Sequence, residues 1–187
     1  MRGGGAALDQ LSVVGVERFI ARVPFTIRLC RVDDLANLEW FGMFRDHRQL
    51  IERTFAEMQR GEQLMWVAER HGFPGGQIWL DLRRNLLWAA RVFWPLQGCG
   101  IGRYLTRTAE AALSARGRTR ASVTVEEDNS SALRFWIREG YHLTGRVTER
   151  WSYDTPDGVH VDAVQDQQLL EKELAKGDDA RYPLDHR

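Results

Sequence analysis

Cysteine is scarce in this chain: Cys30 and Cys99 are the only two in 187 residues. That excludes the disulfide framework on which small secreted domains rely. No Cys/His spacing of the zinc kind occurs, so no metal is expected. An excess of either charge is also missing, with 26 basic residues against 26 acidic ones. Nothing therefore draws the chain generally to nucleic acid or to an anionic membrane. No apolar run is long enough to span a bilayer. Residues 1–22 are interrupted by Asp9, Glu17 and Arg18 and do not read as a signal peptide. A cytoplasmic protein is the default expectation, and the length suits one domain.

What the chain does have is a cluster of glycines. The run Arg91-Val92-Phe93-Trp94-Pro95-Leu96-Gln97-Gly98-Cys99-Gly100-Ile101-Gly102-Arg103 ends an apolar strand, passes three alternating glycines and enters a segment of helical period. Glycine lets the main chain approach a ligand closely, because no Cβ intervenes. The N-terminus of the following helix adds unpaired N–H donors and positive dipole charge. Together these suit a phosphate or pyrophosphate. A P-loop needs Lys-Ser/Thr after its last glycine, but Gly102 is followed by Arg103-Tyr104. A Rossmann fingerprint begun at Gly98 and Gly100 needs glycine at position 103, which is Arg103. The pattern that remains is Q/R-x-x-G-x-G/A, filled by Gln97, Gly100 and Gly102; the bland alternative is a glycine-rich turn with no ligand.

A second segment follows. Val123 and Val125 alternate as in a strand, Asn129 or Ser130 can cap a helix, and Gly140 can end it before Tyr141. Its Asn129-Ser130-Ser131-Ala132 reads N-x-x-A. The two motifs, in this order and spacing, resemble the signatures of the GNAT N-acetyltransferases, over roughly residues 25–174. The resemblance implies an α/β (α+β) fold: a mixed, mostly antiparallel sheet of about seven strands with helices on both faces. It implies a domain over residues 23–174, an N-terminal extension over 1–22 and a polar tail over 175–187. It further implies acetyl-CoA as cosubstrate, direct transfer of acetyl to a primary amine of a small molecule or protein N-terminus, and a homodimer. A non-catalytic acyl-CoA-binding or sensing protein of the same fold is the alternative.

By the same resemblance, Arg91, Val92 and Phe93 supply backbone contacts to the pantetheine arm. The N–H groups of Gly98, Cys99, Gly100, Ile101, Gly102 and Arg103 hold the pyrophosphate, and Gln97 shapes the loop. A backbone N–H near Phe93 serves the oxyanion. The Arg103 guanidinium meets a phosphate or is a solvated helix charge. Asn129, with Ala132 of the same motif, contacts the pantetheine arm or simply caps the helix. The tyrosine that often protonates the leaving thiolate in this family falls here on Trp136, whose indole cannot release a proton at useful pH. Tyr141, Tyr104 or water is then the candidate donor. Glu126, on one face with Thr124, is the candidate base or amine anchor, against a solvated strand end. Asp33, Asp34, Glu39 and Asp46 give the acceptor pocket a negative side or are merely solvated. Trp40, Phe41, Trp79 and Trp88 give it aromatic walls or pack the core.

Periodicity predicts a strand over 25–29 and a helix from Asp33 to about Phe44. A second helix, over 48–59, turns Leu50, Ile51, Phe55 and Met58 to the core. Strands over 64–69 and 77–82 pair as a hairpin around a turn containing residues 71–76. A strand over 86–93 feeds the loop, and the next helix carries Arg103, Arg107 and Glu110 on its surface. Strands over 142–153 and 159–170 close the domain.

Overall fold

The computed structural model describes residues 23–175. The expected extension over 1–22, and the tail from 176 onward, lie outside the described residues. Seven strands form one sheet: β1 (Thr26–Leu29), β2 (Gln63–Arg70), β3 (Phe73–Asp81), β4 (Leu86–Val92), β5 (Arg120–Glu126), β6 (His142–Asp154) and β7 (His160–Glu173). They lie in the order β1-β2-β3-β4-β5-β7-β6. All neighbours run antiparallel except β4 and β5, which are parallel and meet only where Leu86 faces Ser122 and Leu87 faces Val123.

Strand alternation sorts the core into two faces. Trp66 and Ala68 of β2, with Ile78 and Leu80 of β3, pack under α2 (Ile101–Ser114) and α3 (Ser130–Arg138). Met65, Val67 and Trp79 turn the other way, toward α1 (Arg48–Gln59). Ile51 is buried there, and Leu50, Phe55 and Met58 pack beside it, which is the expected core face of α1. Each such aliphatic side chain contributes about 1.5–3 kcal/mol on full burial.

Three local expectations are corrected. The segment after β1 is a 3-10 helix over Val32–Glu39, not an α-helix reaching Phe44. Asp34, not Asp33, ties its start, accepting the Arg31 N–H at 2.7 Å and holding Arg28. The helix stops because Trp40 and Phe41 turn left-handed (φ 42° and 59°), with the Trp40 indole anchored on the Pro74 carbonyl at 2.7 Å. The β2–β3 turn is only His71-Gly72, and β3 already starts at Phe73. Gly75 and Gly76 belong to the strand because it is tightly covered there: a Cβ would come within 2.5 Å of Leu96 and 2.8 Å of Ile101, respectively. Finally, Glu110 of α2 points inward, buried against Lys172 Nζ at 2.8 Å.

Candidate active site

The site begins where β4 leaves β5. Trp88 faces Trp79 and Arg91 faces Gln77, so Ala89 and Ala90 stand opposite the single residue Ile78. This bulge holds Ala89 at φ 47°, a conformation that costs a non-glycine residue roughly 1–2 kcal/mol. Bulges bend and twist their strand, and β4 has no pairing with β5 beyond Leu87. The two strands thus part into a V whose inner edges carry main-chain polar groups.

Ladder parity decides which groups face the gap. The Phe93 N–H donates to the Gly75 carbonyl at 2.9 Å, on the β3 side. It is therefore spent, and the expected oxyanion donor near Phe93 is not this group. Alternation turns the N–H and C=O of Val92 away from β3 instead. The Val92 carbonyl accepts from Gln97 Nε2 at 3.1 Å, so Gln97 ties the loop back to the strand it follows.

A short 3-10 turn (Trp94–Leu96) leads into the glycines. Gly98 and Gly100 take φ of 79° and 83°, and Gly100 is the N-cap of α2. No N–H from residue 98 to residue 103 donates to an acceptor among the described residues. The first such bond comes from Tyr104, to Gly100 O. Gly102 sits where a Cβ would press to 3.3 Å from the Phe135 ring, which lets α2 start close against α3. Arg103 does not point its guanidinium at the loop; Nε binds Glu139 at 3.2 Å. Cys99 is exposed.

On the α1 side of the V lies a cavity of about 670 Å³. The structure brings Arg91, Glu126, Asn129, Ala132 and Trp136 to its wall, with Thr124 beside Glu126. Asn129 acts as the helix cap, accepting the Ala132 N–H at 3.0 Å. The Trp136 indole N–H has no partner among the described residues. Tyr141 is elsewhere: fully buried, packed on Trp136 with centroids 5.0 Å apart, and not on the cavity wall. Burial, reinforced by Glu110, pushes its hydroxyl far above the usual tyrosine range. Glu110 is held by Lys172, and the Tyr141 hydroxyl has no hydrogen-bond partner within normal distance among the described residues. It is no proton donor to the cleft, and that expectation is withdrawn.

The acceptor end differs from the expectation as well. Asp33, Asp34, Glu39 and Asp46 do not line the cavity. Asp34 is held by Arg28 and Glu39 by Arg48. Trp79 and Trp88 do line it, edge to face at 4.7 Å, and Trp151 of β6 joins them. Trp40 is buried and Phe41 exposed, both away from the wall. Sequence reasoning missed His47, Arg53 and Arg150, which reach the cavity from three separate segments. The Arg91 guanidinium lies 4.2 Å from the Phe44 ring centroid, and burial brings its pKa down to about 10, opposed by Glu126. His47 is held below its ordinary pKa by burial and by Arg91, with Asp46 opposing.

Among the described residues, no group of His, Cys, Asp or Glu could hold a metal. No helix there is long and apolar enough to cross a membrane. Comparison with curated protein sequences finds no match. Three solved structures share the fold at low identity. An N-acetyltransferase from Staphylococcus aureus Mu50 superposes with TM-score 0.62 at 16% identity, covering 82% of this chain and all of its own. The PaiA N-acetyltransferase of Thermoplasma acidophilum, in complex with coenzyme A, gives 0.61 at 17%, over 81% of this chain and 99% of its own. The ribosomal-protein-S18-alanine N-acetyltransferase of Escherichia coli gives 0.60 at 20%, over 86% of this chain and all of its own. The family model of the acetyltransferase (GNAT) domain matches residues 39–152, which span the parted strands and the glycine loop, and the chain belongs to the GNAT acetyltransferase family.

Proposed function

We propose that the protein is an N-acetyltransferase that moves an acetyl group from acetyl-CoA to a primary amine of a small molecule or protein N-terminus. The observation that carries this reading is the run of unpartnered N–H groups over residues 98–103, placed beside parted strands and an open cavity. Such donors, with the α2 dipole behind them, match a pyrophosphate. Bound there, acetyl-CoA supplies an activated thioester. Gly98, Cys99, Gly100, Ile101, Gly102 and Arg103 hold its phosphates through their backbone. Val92, rather than Phe93, meets the pantetheine arm with its main chain. Asn129, Ala132 and Trp136 line the far wall.

The chain's remaining work concerns the amine. The nitrogen must arrive neutral, and Glu126 or a water it holds takes the proton. The amine nitrogen then bonds to the acetyl carbon, the C–S bond breaks, and the thiolate collects a proton from solvent. With a pKa near roughly 8.5, by analogy with cysteine, a thiol leaves without a dedicated acid. This fits a cleft that offers an indole N–H at Trp136 and, among the described residues, no tyrosine on its wall. The cytoplasm is the expected compartment. A homodimer through the last strands is consistent with β6 as an open edge and with exposed Leu143 and Val164; sedimentation of the purified chain tests it.

A screen of amines that detects released CoA thiol decides the main point. Thiol release dependent on one class of amine is expected. Tight acetyl-CoA binding with no release from any amine favours an acyl-CoA sensor of the same fold.

A further inference from the structure

Several arginines of this protein are ion-paired: Arg28 holds Asp34, Arg48 holds Glu39, and Arg120 reaches Glu171 and Glu173. The cavity holds three that are not. Arg53, Arg91 and Arg150 all line it, and none has a carboxylate within ion-pair distance among the described residues. The cavity's own acids are partly spent. Glu149 holds Arg84, and Asp81 accepts the backbone N–H groups of Arg83 and Arg84. That leaves Glu57 and Glu126 on the same wall as Arg53, Arg91 and Arg150, none of them ion-paired, and His47, which burial keeps toward its neutral form.

Arg91 is the most telling of the three. It is half-buried at the bend of β4, next to the parted strands, with an aromatic ring and not an anion against its guanidinium. A cation removed from water and left without an anion is costly. Glu126 attracts it across the cavity but forms no ion pair with it. Between them is room on a wall where one side is anionic and the other cationic. An amine that also carries a carboxylate matches both: its nitrogen lies toward Glu126, its carboxylate toward the Arg91 fork, which binds two oxygens at once. A polyamine would set its extra ammonium groups against Arg53, Arg91 and Arg150.

We infer that the acceptor is a carboxylate-bearing amine of the amino-acid type, and that the Arg91 side chain is the specificity determinant that receives its carboxylate. This rests on the transferase reading above and narrows it.

The test is steady-state kinetics with matched acceptors: α-amino acids, the corresponding carboxamides, and spermidine. The acids are expected to exceed their amides in kcat/KM by about ten- to hundredfold, the scale of a lost charge-assisted hydrogen bond. Arg91→Gln should erase the acid-over-amide ratio of kcat/KM, a comparison made within one variant and therefore independent of any change in acetyl-CoA affinity. Arg91→Lys should restore part of the preference. The melting temperatures of the variants report whether they are folded. Equal or better turnover of amides or spermidine overturns this inference alone. So does an Arg91→Gln loss that strikes acids and amides equally. No thiol release with any acceptor overturns the transferase reading, and this inference with it.

Discussion

Trp136 and Tyr141 pack edge to face with ring centroids 5.0 Å apart, and of the two only Trp136 reaches the cavity wall. The relation assigns them different work. Tyr141 holds the back of α3 against the sheet, with a buried hydroxyl that no group receives. Tyr141→Phe removes that unsatisfied group and keeps the ring, so stability is expected to stay level or rise by up to about 1 kcal/mol. Single-turnover rates should be unchanged across pH. A large loss in rate at unaltered acetyl-CoA affinity would return Tyr141 to the chemistry.

Gly100 is predicted to be intolerant for two reasons. Its φ of 83° strains any branched residue, by roughly 1–2 kcal/mol. Its Cβ position also opens into the space before the loop, where only Tyr104 stands nearby, at 3.9 Å. Gly100→Val should weaken acetyl-CoA binding strongly while the fold melts only a few degrees lower. Calorimetry that finds the wild-type affinity would remove the phosphates from this loop.

The two cysteines give an independent reading of the same loop. Cys30 is buried, and burial together with Asp34 lifts its thiol to about 12, against a smaller pull from Arg28. Cys99 is exposed between Gly98 and Gly100. Alkylation of the native protein near pH 8 should label Cys99 and spare Cys30, because the thiolate is the reactive form. Saturating CoA should slow labelling of Cys99, as read by mass spectrometry. Equal rates with and without CoA would place the ligand elsewhere.

These expectations differ in how far they could be read from the chain. The loop was legible because it is local: Gln97, Gly100 and Gly102 act within a few residues of one another. The strand that ends at Glu126 and the cap at Asn129 were legible for the same reason. Ladder parity was not, since which of Val92 and Phe93 faces the gap depends on a bulge at Ala89 set by pairing with β3. The depth of Tyr141 was hidden because adjacent positions after a helix give no sign of which one turns inward. The inward turn of Glu110 depends on Lys172, 62 positions away. His47, Arg53 and Arg150 converge only through the packing of α1 beside β6, which no local pattern announces.

His47 makes stability depend on pH in a definite direction. Its folded pKa lies below the ordinary 6.5, by burial first and then by Arg91. Above 6.5 neither the folded nor the unfolded form carries the proton, so stability there is independent of this group. As pH falls through 6.5 the unfolded chain binds the proton first, and folded stability declines until the folded pKa is passed. His47→Gln should remove this part of the acid slope in denaturant titrations. Arg91→Gln removes the like charge and should raise the His47 pKa, visible in an NMR titration of the ring protons. An unmoved His47 titration in that variant would contradict the placement of the two side chains on one wall.

Glu126 carries the last prediction. It is exposed at the end of β5, on the cavity wall with Thr124, and shares that wall with Arg91. Glu126→Gln keeps the shape and removes the proton acceptor. Turnover should fall by roughly 10²–10⁴-fold, the usual scale for loss of a general base. Acetyl-CoA binding should persist, because the loop over residues 98–103 is untouched. If the carboxylate works as the base, the lost rate returns partly at higher pH, where more of the amine is already neutral. If it works only as an anchor for the amine, KM rises while kcat holds at saturating acceptor. Wild-type kcat and KM in this variant would make Glu126 a solvated strand end and leave deprotonation to water alone.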